Sequence, residues 1–247
     1  MVIWGSEITK SPHHEITKSL RLLSNRKATP TTRVIRVGLD GEAFSYEAGQ
    51  AVWLGIPEKC EPTPYSIASA PEETARHGWL EFLVKVDGST RFGACVSDLR
   101  RGTAITVSGP GGSFTFPIQT AHRNFLFVAG GTGIAPLRSM IYHAIERHIA
   151  GRIALLYSAK TAAEFAYLKD FRALERQGRI ELALTLTGDD SKWRHGRGRA
   201  DAARLGPLVG DTPPLCFLCG PAAMIAAVTN ALESLAVPRE NIRTEGW

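Results

Sequence analysis

Cysteine is scarce in this chain, which has four cysteines among 247 residues. Cys216 and Cys219 have the spacing of a metal-binding pair, but they lie in an apolar run, LCFLCG, that is typical of a buried strand. A zinc site would need a second close pair or a set of histidines, and neither accompanies them. The four-cysteine run that holds an iron–sulfur cluster is also missing. We therefore expect no metal centre.

Long apolar runs are missing too. No run approaches the roughly 18–20 residues that a membrane-spanning helix needs. The opening residues, MVIWGSEITK, lack the basic-then-apolar pattern of a secretion signal. We expect a cytoplasmic protein without a transmembrane segment.

Charge is only moderately unbalanced, with a formal net charge of +5. The densest basic run, KWRHGRGR at 192–199, is short and stands alone, so we expect no binding of nucleic acid. A basic surface instead favours acidic protein partners, whose encounter it accelerates. Hydrophobic residues make up 44% of the chain and charged residues 21%, a composition typical of globular proteins.

The first half has the pattern of an all-β domain. Short runs rich in β-branched and aromatic residues are broken by Pro, Gly or Asp at intervals of about ten residues, which predicts an antiparallel barrel or sandwich. The segment APEETARHG, at 70–78, is interpreted as a polar break. The predicted strands are 19–25, 32–39, 51–56, 65–69, 79–86 and 104–109.

In the second half, strands alternate with helices. This alternation predicts a parallel, doubly wound sheet. Strands are expected at 124–131, 152–159, 179–188 and 214–221, and helices at 135–148, 163–177 and 222–235. We place the boundary near 117–122, which gives an N-terminal domain of 1–119 and a C-terminal domain of 120–247.

Two glycine turns end strands of the predicted parallel sheet. In GGTGIAP, at 130–136, glycines allow the backbone to approach a pyrophosphate, and the following helix supplies unpaired N–H groups. In CGPAAM, at 219–224, a strand again ends at a glycine, and a helix begins directly after it. Because ligands bind at the carboxyl ends of parallel strands, the two turns could hold one dinucleotide. The alternative is a pair of tight turns without a ligand, with Cys219 a small buried apolar residue.

Five motifs stand in an order typical of one family. They are PYSIAS, GPGGSF, GGTGIAP, CGPAAM and a C-terminal acid-x-aromatic. With these motifs the chain resembles the ferredoxin–NADP reductase superfamily of flavoprotein oxidoreductases, from residue 17 to Trp247. The resemblance implies a six-stranded antiparallel flavin-binding β-barrel, followed by a doubly wound NAD(P)-binding α/β domain. It also implies FAD, with FMN as the less favoured alternative, and NADH or NADPH as cofactors.

The resemblance implies roles for individual residues at the flavin. Tyr65 would lie against the isoalloxazine ring, and Ser66 would hydrogen-bond near its reactive nitrogen. Glu245 and Trp247 match the acid-x-aromatic ending, in which the aromatic covers the flavin face that nicotinamide must reach. With Cys219, the residues Ser66, Glu245 and Trp247 are the predicted catalytic residues.

The resemblance also implies a binding site for the pyridine nucleotide. Its pyrophosphate would be held by Gly130, Gly131, Thr132 and Gly133. The nicotinamide would be bordered by Cys219, Gly220 and Pro221.

The chain departs from the family pattern at Thr63, beside Pro64 on the predicted cofactor strand. The family carries an arginine there, which pairs with the flavin phosphate. A glycine-x-x-serine/threonine element is expected next, and it falls in GSTRFGACVSDL, at 88–99, where the alignment is ambiguous. Our hypothesis is that Arg91, with nearby amides, supplies the charge that Thr63 cannot.

The choice between NADH and NADPH depends on a second departure. Thr187 and Gly188 stand where members that use NADPH often carry serine–arginine, and two acidic residues, Asp189 and Asp190, follow them. We favour NADH on this basis. A group of basic residues supports the alternative, because it could surround a 2′-phosphate: Lys160, Arg194, Arg197 and Arg199.

The predicted function is that of a flavin-dependent NAD(P)H reductase. Because the chain has no cluster ligands, electrons would pass through FAD to a separate, acidic one-electron carrier such as a ferredoxin, a flavodoxin or an oxygenase component. One alternative is a reductase subunit or a direct reductase of a small acceptor such as quinone, iron or oxygen. A second alternative, suggested by Thr63, is a flavin-free binding or regulatory module.

Overall fold

The computed structural model describes residues 16–149 and 151–246. Their contacts divide into two compact units. The first, the barrel unit, contains the described residues up to Phe116 together with Arg138–Arg147. The second, the parallel-sheet unit, contains the described residues of 117–137 and 148–246. The domain ranges 1–119 and 120–247 stay a prediction.

The barrel unit is built on six antiparallel strands in the order β4-β3-β6-β1-β2-β5. A single antiparallel bridge between Ile67 and Phe82 joins the end of β4 to β5, and this bridge closes the sheet. The predicted barrel is therefore confirmed. The strands are β1 (Ile16–Thr29), β2 (Thr32–Gly38), β3 (Ala51–Ile56), β4 (Cys60–Ser66), β5 (Trp79–Lys85) and β6 (Ala104–Gly111).

Alternating side chains give the barrel its interior. Along β6, Ile105 and Val107 are fully buried, whereas Thr106 and Ser108 between them are partly exposed. Each fully buried aliphatic or aromatic side chain of this kind stabilises the fold by about 1.5–3 kcal/mol. Other fully buried core residues are Leu22, Ile35, Val52, Leu54, Phe82 and Phe92.

Two short helices interrupt the strands, and the first corrects the sequence interpretation. The segment expected to be a polar break forms α1 (Pro71–His77), which has Pro71 in its first turn and ends at Gly78. Gly78 has a φ of +69°, the left-handed conformation typical of a residue that ends a helix. The second helix, α2 (Arg91–Val96), begins after Thr90. The strand expected at 65–69 is also displaced, since β4 ends at Ser66.

The parallel-sheet unit contains six parallel strands in the order β10-β9-β8-β7-β11-β12. The predicted doubly wound sheet is confirmed. The strands are β7 (Asn124–Gly130), β8 (Arg152–Ala159), β9 (Glu181–Leu186), β10 (Gly196–Arg197), β11 (Leu215–Gly220) and β12 (Ile242–Gly246). Helix α3 (Ile134–Glu146) begins in this unit, and its residues from Arg138 onward belong to the barrel unit. The other helices are α4 (Leu168–Arg176), α5 (Ala202–Val209) and α6 (Ala222–Ser234).

The strand order reverses between β7 and β11. The chain moves outward from β7 to β10 and then returns to β11, on the other side of β7. Ligands bind at such a switch point in open parallel sheets, beyond the carboxyl ends of the strands. Both predicted glycine turns lie there.

Three elements of this unit were not predicted: β10, α5 and β12. α5 contains Pro207, which lacks a backbone N–H and weakens a helical pattern. Its first turn is stabilised by Asp201, whose carboxylate accepts a hydrogen bond from the Arg204 backbone N–H at 3.1 Å. In the described part of the chain, every helix is too short or too polar to cross a membrane.

Candidate functional site

The two glycine turns are in van der Waals contact at the switch point. β7 and β11 are parallel neighbours, and Ala129 lies opposite Cys219. A Cβ atom on Gly220 would lie 3.1 Å from the Gly130 Cα atom. A Cβ atom on Gly130 would lie 3.0 Å from the Pro221 Cδ atom. The structure thus brings together Gly130, Gly220 and Pro221, and any side chain at either glycine would separate the turns.

The outer face of the first turn is open. Gly131–Gly133 form a single 3-10 turn that leads into α3. Gly131 has a φ of +55°, and no atom lies within 4 Å of the place where its Cβ would be. Gly133 is buried, and Thr132 is partly exposed. Free space beside a left-handed glycine at the start of a long helix is suited to a phosphate group.

Tyr157 supports this turn, and sequence reasoning missed it. Its hydroxyl donates a hydrogen bond to the Gly131 carbonyl at 3.0 Å and accepts one from the Ala166 N–H at 3.2 Å. Burial raises the pKa of Tyr157, so the phenol stays neutral and can donate. The position gave no sequence signal beyond that of a buried strand residue.

Cys219 and Glu245 lie side by side at the end of the sheet. They are register partners in β11 and β12, and the Cys219 Sγ donates a hydrogen bond to the Glu245 Oε2 at 3.8 Å. Burial and the neighbouring Glu245 carboxylate raise the pKa of Cys219 well above its usual range. The thiol is therefore a neutral donor and not a nucleophile. Trp247 lies outside the described residues.

The basic residues predicted near the nucleotide are partly engaged by their own loop. The Arg197 Nη1 lies 3.3 Å from the Asp189 Oδ1, and the Arg194 Nη1 donates to the Ser191 carbonyl at 2.9 Å. Lys160 and Arg199 are exposed. Two of the four cations thus have partners within 189–197.

Tyr65 lies near the end of β4, and its side chain is fixed by contacts with Thr90 and Phe92. It lies in β4 opposite Val52 and is partly exposed, as is Ser66 beside it. The Tyr65 hydroxyl lies 2.6 Å from the Thr90 Oγ1, and its ring packs at a tilt on Phe92, with centroids 5.5 Å apart. A ring fixed in this way can support a flat ligand on its exposed side.

Thr90 is a second residue that sequence reasoning missed. Its hydroxyl accepts a hydrogen bond from the Gly93 N–H at 2.9 Å and so caps α2. A Cβ on Gly93 would lie 2.2 Å from the Lys85 carbonyl oxygen, so glycine is required there. In the ambiguous segment 88–99, Thr90 therefore both caps α2 and contacts the Tyr65 hydroxyl. The available signal was a threonine separated from a short apolar run, 92–96, by Arg91 alone.

Arg91, the predicted substitute for a cation at Thr63, is the first residue of α2. Thr63 and Pro64 lie in β4 opposite Leu54 and Trp53, respectively. The Arg91 side chain is 79% exposed, and its Nη1 lies 3.7 Å from the Glu61 Oε2. Ion pairs this exposed are weak, so an anionic ligand can compete for the Arg91 guanidinium.

Comparison with known proteins places the chain among oxidoreductases. The family described as "Oxidoreductase NAD-binding domain" matches residues 127–230. Ferredoxin–NADP reductase B of Sorangium cellulosum is 31% identical over 238 residues, which are 92% of this chain and 96% of that protein. The reductase component DmpP of phenol 2-monooxygenase from Pseudomonas is 31% identical over 86% of this chain and 60% of its own length. The crystal structure of the Amycolatopsis cytochrome P450 reductase GcoB shares the fold, with a TM-score of 0.82 and 24% identity over 96% of this chain and 71% of that chain.

Proposed function

The chain belongs to the ferredoxin–NADP reductase family and is an NAD(P)H oxidoreductase, and we propose that it uses FAD to deliver electrons to a separate one-electron carrier protein. The observation that carries the proposal is the contact between two glycine turns at the β7–β11 switch point, with open space beside Gly131. That arrangement is suited to a pyrophosphate.

The parallel-sheet unit would hold the pyridine nucleotide. Gly131, Thr132 and Gly133 would bind the pyrophosphate, because this turn combines free space beside Gly131 with the positive end of the α3 dipole. Cys219 would border the nicotinamide as a neutral thiol, and Glu245 would accept its hydrogen bond. In this proposal Cys219 and Glu245 do not act as a general acid and base. They set the polarity around the reacting ring.

The barrel unit would hold the flavin. Tyr65 would support the ring, Ser66 would donate or accept a hydrogen bond at its edge, and Arg91 would pair with the phosphate. The half-exposed Tyr65 ring and the exposed guanidinium of Arg91 fit an aromatic ligand with an anionic tail. Bound flavin would supply a hydride acceptor for NAD(P)H and the release of single electrons, which is chemistry that the side chains themselves do not supply.

NADH is the proposed donor. The support is that the Arg197 guanidinium is engaged within its own loop, since it pairs with the Asp189 carboxylate and also donates to the Asp190 and Trp193 carbonyls, which leaves it less available to a 2′-phosphate. A carboxylate close to that site would also repel the phosphate.

The proposed acceptor is an acidic electron-carrier protein. The relative from Sorangium is named a ferredoxin–NADP reductase, and the relative from Pseudomonas is named the reductase component of an oxygenase. The net charge of +5 favours an acidic partner. The direct reduction of a small acceptor is the outcome that would replace this part of the proposal. A cytoplasmic location stays a prediction.

The deciding experiment begins with the colour of the purified chain. We expect a yellow protein that releases FAD on denaturation and is bleached anaerobically by NADH at a lower concentration than by NADPH. Turnover of cytochrome c should require an added ferredoxin or similar carrier. A colourless chain that binds neither added FAD nor added FMN contradicts the proposal, and full turnover without a carrier contradicts its acceptor.

The role of Arg91 is tested with a matched pair of variants. Arg91→Ala should raise the flavin Kd about tenfold, since a charge-assisted contact to phosphate contributes about 1.5–3 kcal/mol. Arg101→Ala, which removes an exposed arginine from the turn before β6, should leave the Kd unchanged. Equal affinities of the wild type and Arg91→Ala would remove Arg91 from the site.

A further inference from the structure

A buried arginine holds the backbone that follows Tyr65 and Ser66. Arg138, in α3, is 5% exposed and belongs to the barrel unit. Its Nη1 donates to the Ala68 carbonyl at 2.8 Å and to the Glu73 Oε2 at 2.7 Å, and its Nη2 donates to the Glu73 Oε1 at 2.9 Å. One guanidinium thus joins a carboxylate in α1 to a carbonyl two residues beyond Ser66.

The next residue of α3 holds the next carbonyl. The Ser139 Oγ donates to the Ser69 carbonyl at 2.7 Å, and the Tyr46 hydroxyl donates to the same oxygen at 2.9 Å. The Ser69 hydroxyl in turn accepts a hydrogen bond from the Glu81 N–H at 3.1 Å. Two consecutive carbonyls are therefore held by two consecutive side chains of one helix.

These contacts matter because the segment lies where water is excluded. Ile67, Ala68 and Ser69 are all fully buried, so their backbone polar groups need partners within the protein. The Ile67 N–H donates to the Gln50 carbonyl, and the Ala68 N–H donates to the Glu81 carbonyl. Arg138 and Ser139 supply partners for the carbonyls on the opposite side of the chain.

The charges in this network alternate. The Arg138 Nε lies 4.0 Å from the Glu81 Oε1, and the Glu81 Oε2 accepts a hydrogen bond from the Arg36 Nε at 2.7 Å. Two arginines and two glutamates, counting Glu73, therefore balance one another. The loss of one member leaves a buried charge without its counterpart.

We propose that Arg138, together with Ser139, is a positioning residue for the flavin, since it fixes the segment that determines where Tyr65 and Ser66 lie. The ladder of β4 ends at Ser66, and beyond it the pairing continues through the bridge of Ile67 to Phe82 and the hydrogen bond from the Ala68 N–H to the Glu81 carbonyl. Ala68 follows Ser66 by two residues, roughly 7 Å along an extended chain. The orientation of Ser66 thus depends on how the next residues are held. The inference rests on the proposed function, in which Tyr65 and Ser66 contact the flavin.

The test compares Arg138→Lys with a matched control, Arg152→Lys. Arg152 also makes a bidentate pair with a glutamate, Glu181, at 2.6 and 2.5 Å and also donates to a carbonyl, that of Leu208 at 2.6 Å. It lies in the parallel-sheet unit, away from β4 in the chain and in the other unit. The control therefore removes the same kind of interaction without touching the proposed flavin segment.

Far-ultraviolet circular dichroism first verifies that each variant is folded. We then measure the flavin Kd and the visible absorption and circular dichroism spectra of bound FAD. Arg138→Lys should raise the flavin Kd about tenfold and shift the bands of the bound flavin, because lysine cannot reach both Glu73 and the Ala68 carbonyl. Arg152→Lys should change neither. A merely structural role for Arg138 would lower stability without moving the flavin bands.

Ser139→Ala keeps the proposal testable if Arg138→Lys does not fold. This variant leaves the Arg138–Glu73 pair and the Tyr46 contact intact, and it should raise the flavin Kd roughly threefold with a smaller shift of the same bands. If the folded variants have the flavin Kd and the flavin spectra of the wild type, the inference about Arg138 and Ser139 is overturned and the proposed function is not. A wild-type chain that binds neither FAD nor FMN overturns the proposed function, and the inference with it.

Discussion

At position 219 a thiol is buried beside a carboxylate, and its surroundings decide what chemistry it can perform. Burial and Glu245 both raise the pKa of Cys219, and burial raises that of Cys216 to about 12. Cys60 and Cys95 are only half-buried. A thiolate is the reactive form of cysteine, so the four residues should differ widely in reactivity.

The difference can be measured by alkylation. With iodoacetamide at pH 8, Cys60 and Cys95 should be modified first, and Cys216 and Cys219 should react at least about a hundredfold more slowly. Mass spectrometry of timed digests gives the rates, and the unfolded chain, in which all four should react alike, is the control. Rapid labelling of Cys219 in the folded chain would contradict its assignment as a neutral donor.

At the scale of elements, the contact between two strand ends determines the geometry of the proposed nucleotide site. β7 and β11 approach so closely after Ala129 and Cys219 that Gly130 and Gly220 leave no room for a side chain. A turn that needs glycine for space differs from one that needs it only for a positive φ. The two requirements can be separated by mutation.

Gly220→Ala should impair nucleotide binding. Its Cβ would lie 2.7 Å from the Met224 Cε and 3.1 Å from the Gly130 Cα, and its φ of +158° also disfavours a side chain, so the turns should shift and the KM for NADH should rise about tenfold or more. The control is Gly178→Ala, in an open turn with a φ of +67°, which should cost about 1 kcal/mol of stability and leave the KM unchanged. Steady-state kinetics and urea unfolding measure both effects. Equal KM values in the two variants would show that the close approach is not needed.

At the scale of the whole molecule, ionised carboxylates stabilise the fold at neutral pH. Burial opposes the ionisation of Glu73, but the hydrogen bonds and charge of Arg138 outweigh it and lower the pKa of Glu73. Hydrogen bonds from Lys85 and Ser89 lower that of Asp87 to about 2. Groups whose pKa is lower in the folded state stabilise it above their unfolded pKa. That stabilisation is lost as the pH falls through the folded pKa.

The free energy of unfolding should therefore be nearly constant from pH 7 to about 5 and fall between about pH 4.5 and 2. Glu73→Gln should be less stable at pH 7, because it leaves Arg138 without its carboxylate, and should lose less on acidification. Glu233→Gln, in an exposed part of α6, is the control and should follow the wild type. Urea unfolding at a series of pH values gives both curves. Parallel curves for the wild type and Glu73→Gln would exclude Glu73 as a source of the acid dependence.

The sequence by itself determined the fold class, the family and the place of both glycine turns. These features depend on local properties: the period of apolar residues, the conformational freedom of glycine and the order of motifs along the chain. The predicted superfamily, which was identified from the order of the motifs, is confirmed by the comparison with known proteins. The residue assignments that came from the resemblance, Tyr65 and Ser66 among them, stay predictions, and so does the hypothesis that Arg91 supplies the charge that Thr63 cannot.

Tertiary structure decided what local patterns do not contain. α1 has only seven residues, too few to show a helical period, and its buried Glu73 pairs with Arg138, which is 65 residues away in the chain. Cys219 lies beside Glu245 because of the register between β11 and β12. Contacts between distant segments depend on strand register and packing, and a single sequence carries no local signal for either.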